Sequence, residues 1–233
     1  MFDFLFPSKE KLKSQFIDVW QQGDLLKAMK LGEKLVKKDP LDFANIHDLG
    51  MVHLQLGLKD SALNYLLEAN KLHESDIHWN NIGRAHQALK DYKQAKKSYE
   101  KSRQLNPENP QPWYNLTVCY REQNNMNAAF EELNKLVKVH PNHLGTRSDL
   151  GLHLEQKGQI DAAIEQFEMA LEIDPDYYPA RENMILILCD ANDKDRASNK
   201  LDFYRDQGMS VEINISDNKI TQVNVNGAQF YPR

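Results

Sequence analysis

The sequence predicts an all-α repeat architecture that closes on a short β element, and three observations carry that prediction. Alanine recurs in register: Ala28, Ala62, Ala95, Ala129, Ala163 and Ala197 follow one another at spacings of 34, 33, 34, 34 and 34. Glycine and proline are scarce, 10 and 9 among 233 residues, and several of them keep the same interval. Pro107, Pro141 and Pro175 are 34 apart, Gly50 and Gly83 are 33 apart, and Gly151 lies 68 further on. Third, apolar residues change from helical spacing to strict alternation after about residue 210.

Each interval reads as two helices. In the fourth, Trp113, Leu116 and Tyr120 keep helical spacing, and the polar pair Asn124 and Asn125 makes a turn. Ala128, Ala129, Leu133, Leu136 and Val137 then mark a second amphipathic helix that ends before Pro141. The units fall at about 9–42, 43–75, 76–109, 110–143, 144–177 and 178–209, after a lead of residues 1–8 and before a tail of residues 210–233. The lead carries Phe2, Phe4 and Phe6, expected to cap the first unit. Alternatives for the lead are a segment lying in a groove or an apolar contact for a partner. It lacks the basic start and long apolar stretch of a secretory signal, and Pro7 interrupts it. In the tail, Val211, Ile213 and Ile215 alternate with Glu212 and Asn214. Thr221, Val223 and Val225 repeat the pattern after Asp217 and Asn218. That predicts a β-hairpin over 210–226 ending at Gly227. A lone hairpin is marginal in water, so it is expected to lie on the last helix of the sixth unit. Its free edge is available to a partner or to a second copy.

Composition excludes several functions. A net charge of −5 and a pI near 5.9 do not attract the chain to nucleic acid or an anionic membrane. The longest apolar run, Met184 to Cys189, is far short of a membrane span. Two cysteines make no disulfide framework, and Cys119 is expected as a small core residue. No phosphate-binding glycine loop, nucleophile elbow or H-E-x-x-H motif is present. His140 and His143 flank Pro141, and His73 and His78 flank another turn, without further ligands to complete a metal site. Lys93, Lys96, Lys97 and Lys101 read as a solvated helix face. No catalytic residue, metal or cofactor is expected.

The pattern resembles the tetratricopeptide repeat, W-x2-L-G-x2-Y followed by A-x3-F and P. Trp79, Ile82, Gly83, Ala95, Tyr99 and Pro107 carry it in the third unit. Trp113, Leu116, Tyr120, Ala129 and Pro141 carry it in the fourth, with Thr117 for the glycine. Leu150, Gly151, Gly158, Ala163, Phe167, Ala170 and Pro175 do so in the fifth, and Leu49, Gly50, Gly57, Ala62 and Ala69 in the second. The end units depart, with Phe16 at the small position of the first, and Arg181 and Ile185 where the sixth should have Trp and Gly.

The resemblance implies a right-handed α-solenoid over 9–209. The small residues let paired helices approach, the large ones fill the space between them, and the first helices line a concave groove. It puts His53 and His86 inside helix pairs and the lysine run outside. It points to groove residues Asn80, Arg84 and Gln87 in the third unit, Tyr114, Asn115 and Arg121 in the fourth, and Ser148 in the fifth. Arg84 and Asn115 match two members of a carboxylate clamp, but Ser148 and Leu152 stand where further cations are needed. The expected function is a non-enzymatic, cytoplasmic protein-interaction module that takes a peptide segment or partner protein in the groove. It would act as a monomer, or as a homodimer through the hairpin. The alternatives are a dedicated chaperone of a secreted or assembling subunit, and an accessory subunit of an enzyme complex that uses its outer face and hairpin.

Overall fold

The computed structural model of the chain describes residues 8–190, 201–202, 205, 208, 210–216, 219–225 and 227–231. The phenylalanine lead, Ala197 and the Asp217–Asn218 turn lie outside them. The chain forms two compact bodies that divide after Ala129.

The first body holds α1 (Lys9–Gln21), α2 (Leu25–Lys38), α3 (Phe43–Gln55), α4 (Lys59–Leu72), α5 (Asp76–Ala88), α6 (Tyr92–Leu105) and α7 (Pro110–Glu122). α8 (Met126–Val139) crosses the division, and the second body continues with α9 (Leu144–Gln156), α10 (Ile160–Ile173) and α11 (Tyr178–Asp190). Odd-numbered helices have 13 residues and even-numbered ones 14, so the register of the sequence is a register of helix pairs.

Polar side chains start these helices. Ser8, Asp42, Ser75 and Asn109 accept backbone N–H groups at the heads of α1, α3, α5 and α7. Asp24, Asp91 and Asn125 do the same for α2, α6 and α8. The turn inside each pair needs one left-handed residue. Gly23, Gly57 and Gly158 supply it with φ of 80°, 77° and 74°, while Lys90 and Asn124 adopt it without being glycine, at 62° and 56°.

The repeated alanines are core: Ala28, Ala62, Ala95, Ala129 and Ala163 are all buried. The helical glycines mark the close approach expected of them. A β-carbon on Gly83 would lie 2.5 Å from Tyr99 Cε1, one on Gly151 2.6 Å from Phe167 Cε1, and one on Gly50 3.0 Å from Leu66 Cγ. Tyr99 and Phe167 are fully buried, each contributing roughly 1.5–3 kcal/mol by burial. Polar links tie the helices within a pair and reach the head of the next pair. Asn106 and Asn109 donate to the Asp76 carboxylate at 3.1 and 3.0 Å, and Ser102 donates to the Asp76 carbonyl at 2.7 Å. Lys9 bridges Asp39 at 2.6 Å and Asp42 at 2.9 Å.

The C-terminal element is larger than the expected hairpin. β1 (Val211–Ser216), β2 (Lys219–Val225) and β3 (Ala228–Phe230) form an antiparallel sheet in the order β1-β2-β3. Gly227, expected to end the element, instead sits in the turn to β3 with φ 84°. The Asn226-Gly227 pair is the sequence signal for that turn, and three residues are too few to show alternation. Ile215 also departs from the expected inward row. A register shift between Asn214 and Ile215 breaks the alternation and leaves Ile215 47% exposed. The sheet packs on α11. Ile220, Val223, Val225 and Phe230 share a core with Met184, Ile185, Leu188 and Leu201. Among the described residues no helix is long and apolar enough to cross a membrane.

Candidate functional site

A cleft of about 340 Å³ opens in the first body, lined by Leu54 of α3, Arg84, Gln87 and Ala88 of α5, and Asn115 and Glu122 of α7. Arg84, Gln87 and Ala88 stand at i, i+3 and i+4, one face of a helix. The face can be polar because the opposite side of α5 buries Ile82 and Ala85 in the core.

The polar side chains are held from behind. Arg84 Nη1 donates to Asn81 Oδ1 at 3.2 Å, and the residue is exposed. Gln87 Oε1 accepts from the Tyr99 hydroxyl at 2.6 Å. Asn115 Nδ2 donates to Asn80 Oδ1 at 2.8 Å, and Asn115 Oδ1 accepts from Gln111 Nε2 at 3.1 Å. Burial pushes the Tyr99 phenol well above its ordinary range, so Tyr99 is a donor toward Gln87 at any physiological pH. Such ties fix rotamers that would otherwise be lost on binding.

Three of the seven residues singled out in the sequence therefore come together: Arg84, Gln87 and Asn115. Asn80 is 7% exposed, and its carbonyl oxygen is engaged by Asn115. It supports the cleft from beneath and does not line it. Tyr114 is half-buried and Arg121 exposed on α7, neither of them lining the cleft. Ser148 is 4% exposed on α9 in the second body. Leu54 and Ala88 were missed as liners, although Ala88 follows Arg84 at i+4.

The lining carries one cation, one carboxylate, two amides and two apolar side chains. It offers donors and acceptors to a peptide backbone, and a site for each sign of charge. It contains no serine, cysteine or histidine. Cys119 is fully buried, and burial first, then Glu122, pushes its thiol up to about 12. His53 is buried with Nδ1 2.9 Å from the Leu49 carbonyl, inside its helix pair as expected. His86 is half-buried, and burial lowers its pKa. Among the described residues, no group of three or more His, Cys, Asp or Glu is placed to hold a metal ion.

Sequence profiles of the tetratricopeptide repeat match residues 86–145 and 148–177. No curated protein matches the sequence. Several solved structures share the fold. PilF of Pseudomonas aeruginosa is 17% identical with a TM-score of 0.66, covering 87% of this chain and 93% of its own. A thermophilic tetratricopeptide protein of Thermus thermophilus is 19% identical with a TM-score of 0.61, covering 78% and 99%. YrrB, described as having an unusual peptide-binding site, is 16% identical with a TM-score of 0.52, covering 76% and 91%. Repeat register, helix pairing and glycine contacts agree with these matches: residues 86–145 and 148–177 match tetratricopeptide repeats, and the chain has the fold of tetratricopeptide-repeat proteins.

Proposed function

We propose that this protein is a non-enzymatic interaction module that captures an extended peptide segment of a partner protein in the cleft between α3, α5 and α7. The observation that carries the reading is the convergence of Arg84, Gln87, Asn115 and Glu122 on one cleft, each from a first helix of its repeat. Arg84 would take a carboxylate, Asn115 and Gln87 the peptide backbone, Glu122 a donor or cation, and Leu54 and Ala88 an apolar anchor. The likeness of fold to a protein with a peptide-binding site supports this reading. A dedicated chaperone would need a more apolar face than four polar liners and two apolar ones.

The test is selection of a random displayed-peptide library on the full chain, followed by affinity measurements on variants. Arg84→Ala and Asn115→Ala are expected to weaken the selected peptide by roughly tenfold each, and Lys97→Ala on α6 to leave it unchanged. Equal affinity for all three variants and the wild type would sink the cleft reading. We further place the protein in the cytoplasm, where the free buried thiols of Cys119 and Cys189 stay reduced. Recovery in an extracytoplasmic fraction would contradict that.

A further inference from the structure

Arg84 does not hold its position alone. Its Nη1 donates to Asn81 Oδ1 at 3.2 Å, and the other end of the same amide, Asn81 Nδ2, lies 2.8 Å from His47 Nε2 on α3. Amide ends look alike, but here chemistry assigns them. A guanidinium can only donate, so the amide atom facing it is the oxygen, and the amide nitrogen faces the ring. An amide N–H can only donate in turn, so His47 Nε2 must carry no proton. The ring proton is then on Nδ1, which lies 3.3 Å from Asp48 Oδ1 and donates to it. The chain Asp48–His47–Asn81–Arg84 thus requires the neutral Nδ1–H tautomer of His47.

A proton arriving from solvent at Nε2 breaks this order. The ring N–H would face the amide N–H, donor against donor. Asn81 must then turn over, giving its oxygen to His47 and its nitrogen to Arg84, whose guanidinium loses its acceptor. We infer that His47 and Asn81 are positioning residues for Arg84, a proton-sensitive relay that aims the guanidinium at the cleft while His47 is neutral and releases it when His47 is protonated. Histidine side chains as a class change charge between about pH 5 and 8, and the His47 side chain is 15% exposed.

The groups around His47 are compatible with this. Asp48 Oδ1 stands 3.3 Å from His47 Nδ1 on the same helix. From α5, the His78 ring lies 4.9 Å away and Arg84 stands behind Asn81. From the end of α4, His73 packs on His78 at 6.1 Å, and Phe43 of α3 stacks on His73 at 4.5 Å. His78 is 5% exposed, with Nδ1 2.6 Å from the His73 carbonyl. Burial lowers its pKa, and His47 and His73 add to that, so His78 resists charging beside His47.

That release weakens capture rests on the cleft being the binding site; the link between His47 and Arg84 does not. The test follows the Arg84 Nε–H and the His47 ring nitrogens by NMR in the full chain from pH 8 to 5.5. The doubly acidic probe acetyl-Asp-Asp amide serves as ligand. Expected are the Nδ1–H tautomer at pH 8, an Arg84 signal that moves with the His47 ring, and probe affinity that falls roughly five- to tenfold on acidification. The added positive charge alone would strengthen binding of an acidic probe, so weakening separates the relay from bulk electrostatics. His47→Gln keeps an oxygen for Asn81 at every pH and should hold the pH 8 affinity down to pH 5.5. Asn81→Ala should bind weakly throughout. An Nε2–H tautomer at pH 8, an Arg84 signal indifferent to His47, or pH dependence surviving in His47→Gln overturns the relay. Absence of probe binding at pH 8 while Arg84 tracks His47 supports the relay and overturns the cleft reading.

Discussion

Of the helical glycines in the first body, Gly83 leaves the least room for a side chain: an added β-carbon would lie 2.5 Å from a Tyr99 ring atom. The ring cannot swing away, because it is buried and its hydroxyl is tied to Gln87 at 2.6 Å. Gly83→Ala should therefore destabilise by about 1–3 kcal/mol and disturb Gln87 in the cleft. Gly50→Ala meets Leu66 at 3.0 Å and should cost less. Chemical denaturation of the two variants checks the ranking; equal stability would contradict it. A second residue-scale prediction concerns acid. The Lys9 hydrogen bond depresses Asp39, with the Leu41 N–H adding to it. Burial alone would raise Asp42, but the Lys9 bond and the Asn45 N–H outweigh it. Carboxylates depressed on folding contribute stability above their unfolded value near 3.8, and it is lost as pH falls through the lower folded values. Melting curves of wild type and Lys9→Met should differ at pH 5 and converge by about pH 2. Parallel curves would contradict the bridge.

At the scale of the element, the five intra-pair turns share one left-handed position but not one residue. Lys90, at φ 62°, carries strain that Gly23, Gly57 and Gly158 avoid. Lys90→Gly should stabilise by about 1 kcal/mol and raise Tm by roughly 2–4 °C. Asn124→Gly should gain less, because asparagine tolerates that conformation. An unchanged Tm for Lys90→Gly would show the turn relaxed. The elements were legible wherever packing imposes a residue type. Ala28 through Ala163 and the helical glycines recur because two helices touch there, and that fixed the fold in the sequence. β3 was not legible, being three residues long, nor was the exposure of Ile215, which follows from a register shift that its neighbours do not encode. Arg84, Gln87 and Asn115 were legible through the resemblance, which assigns the groove-facing positions of a first helix. The burial of Asn80 was not, since it depends on a partner 35 residues away.

At the scale of the whole molecule, the two bodies carry different loads. The sheet supplies Ile220, Val223, Val225 and Phe230 to the core around α11, so it is part of the second body's interior. Deleting residues 210–233 uncovers Met184, Ile185 and Leu188 and should lower the melting temperature of the second body while α1–α7 still protect their amides. Unaltered melting after deletion would mean the sheet is dispensable. The central claim is that a partner peptide lies in the cleft of the first body. Amide hydrogen exchange with and without a library-selected peptide tests it most directly. New protection along α5 and α7, centred on Arg84 and Asn115, is predicted; protection confined to α4, α6 or β1 would contradict it.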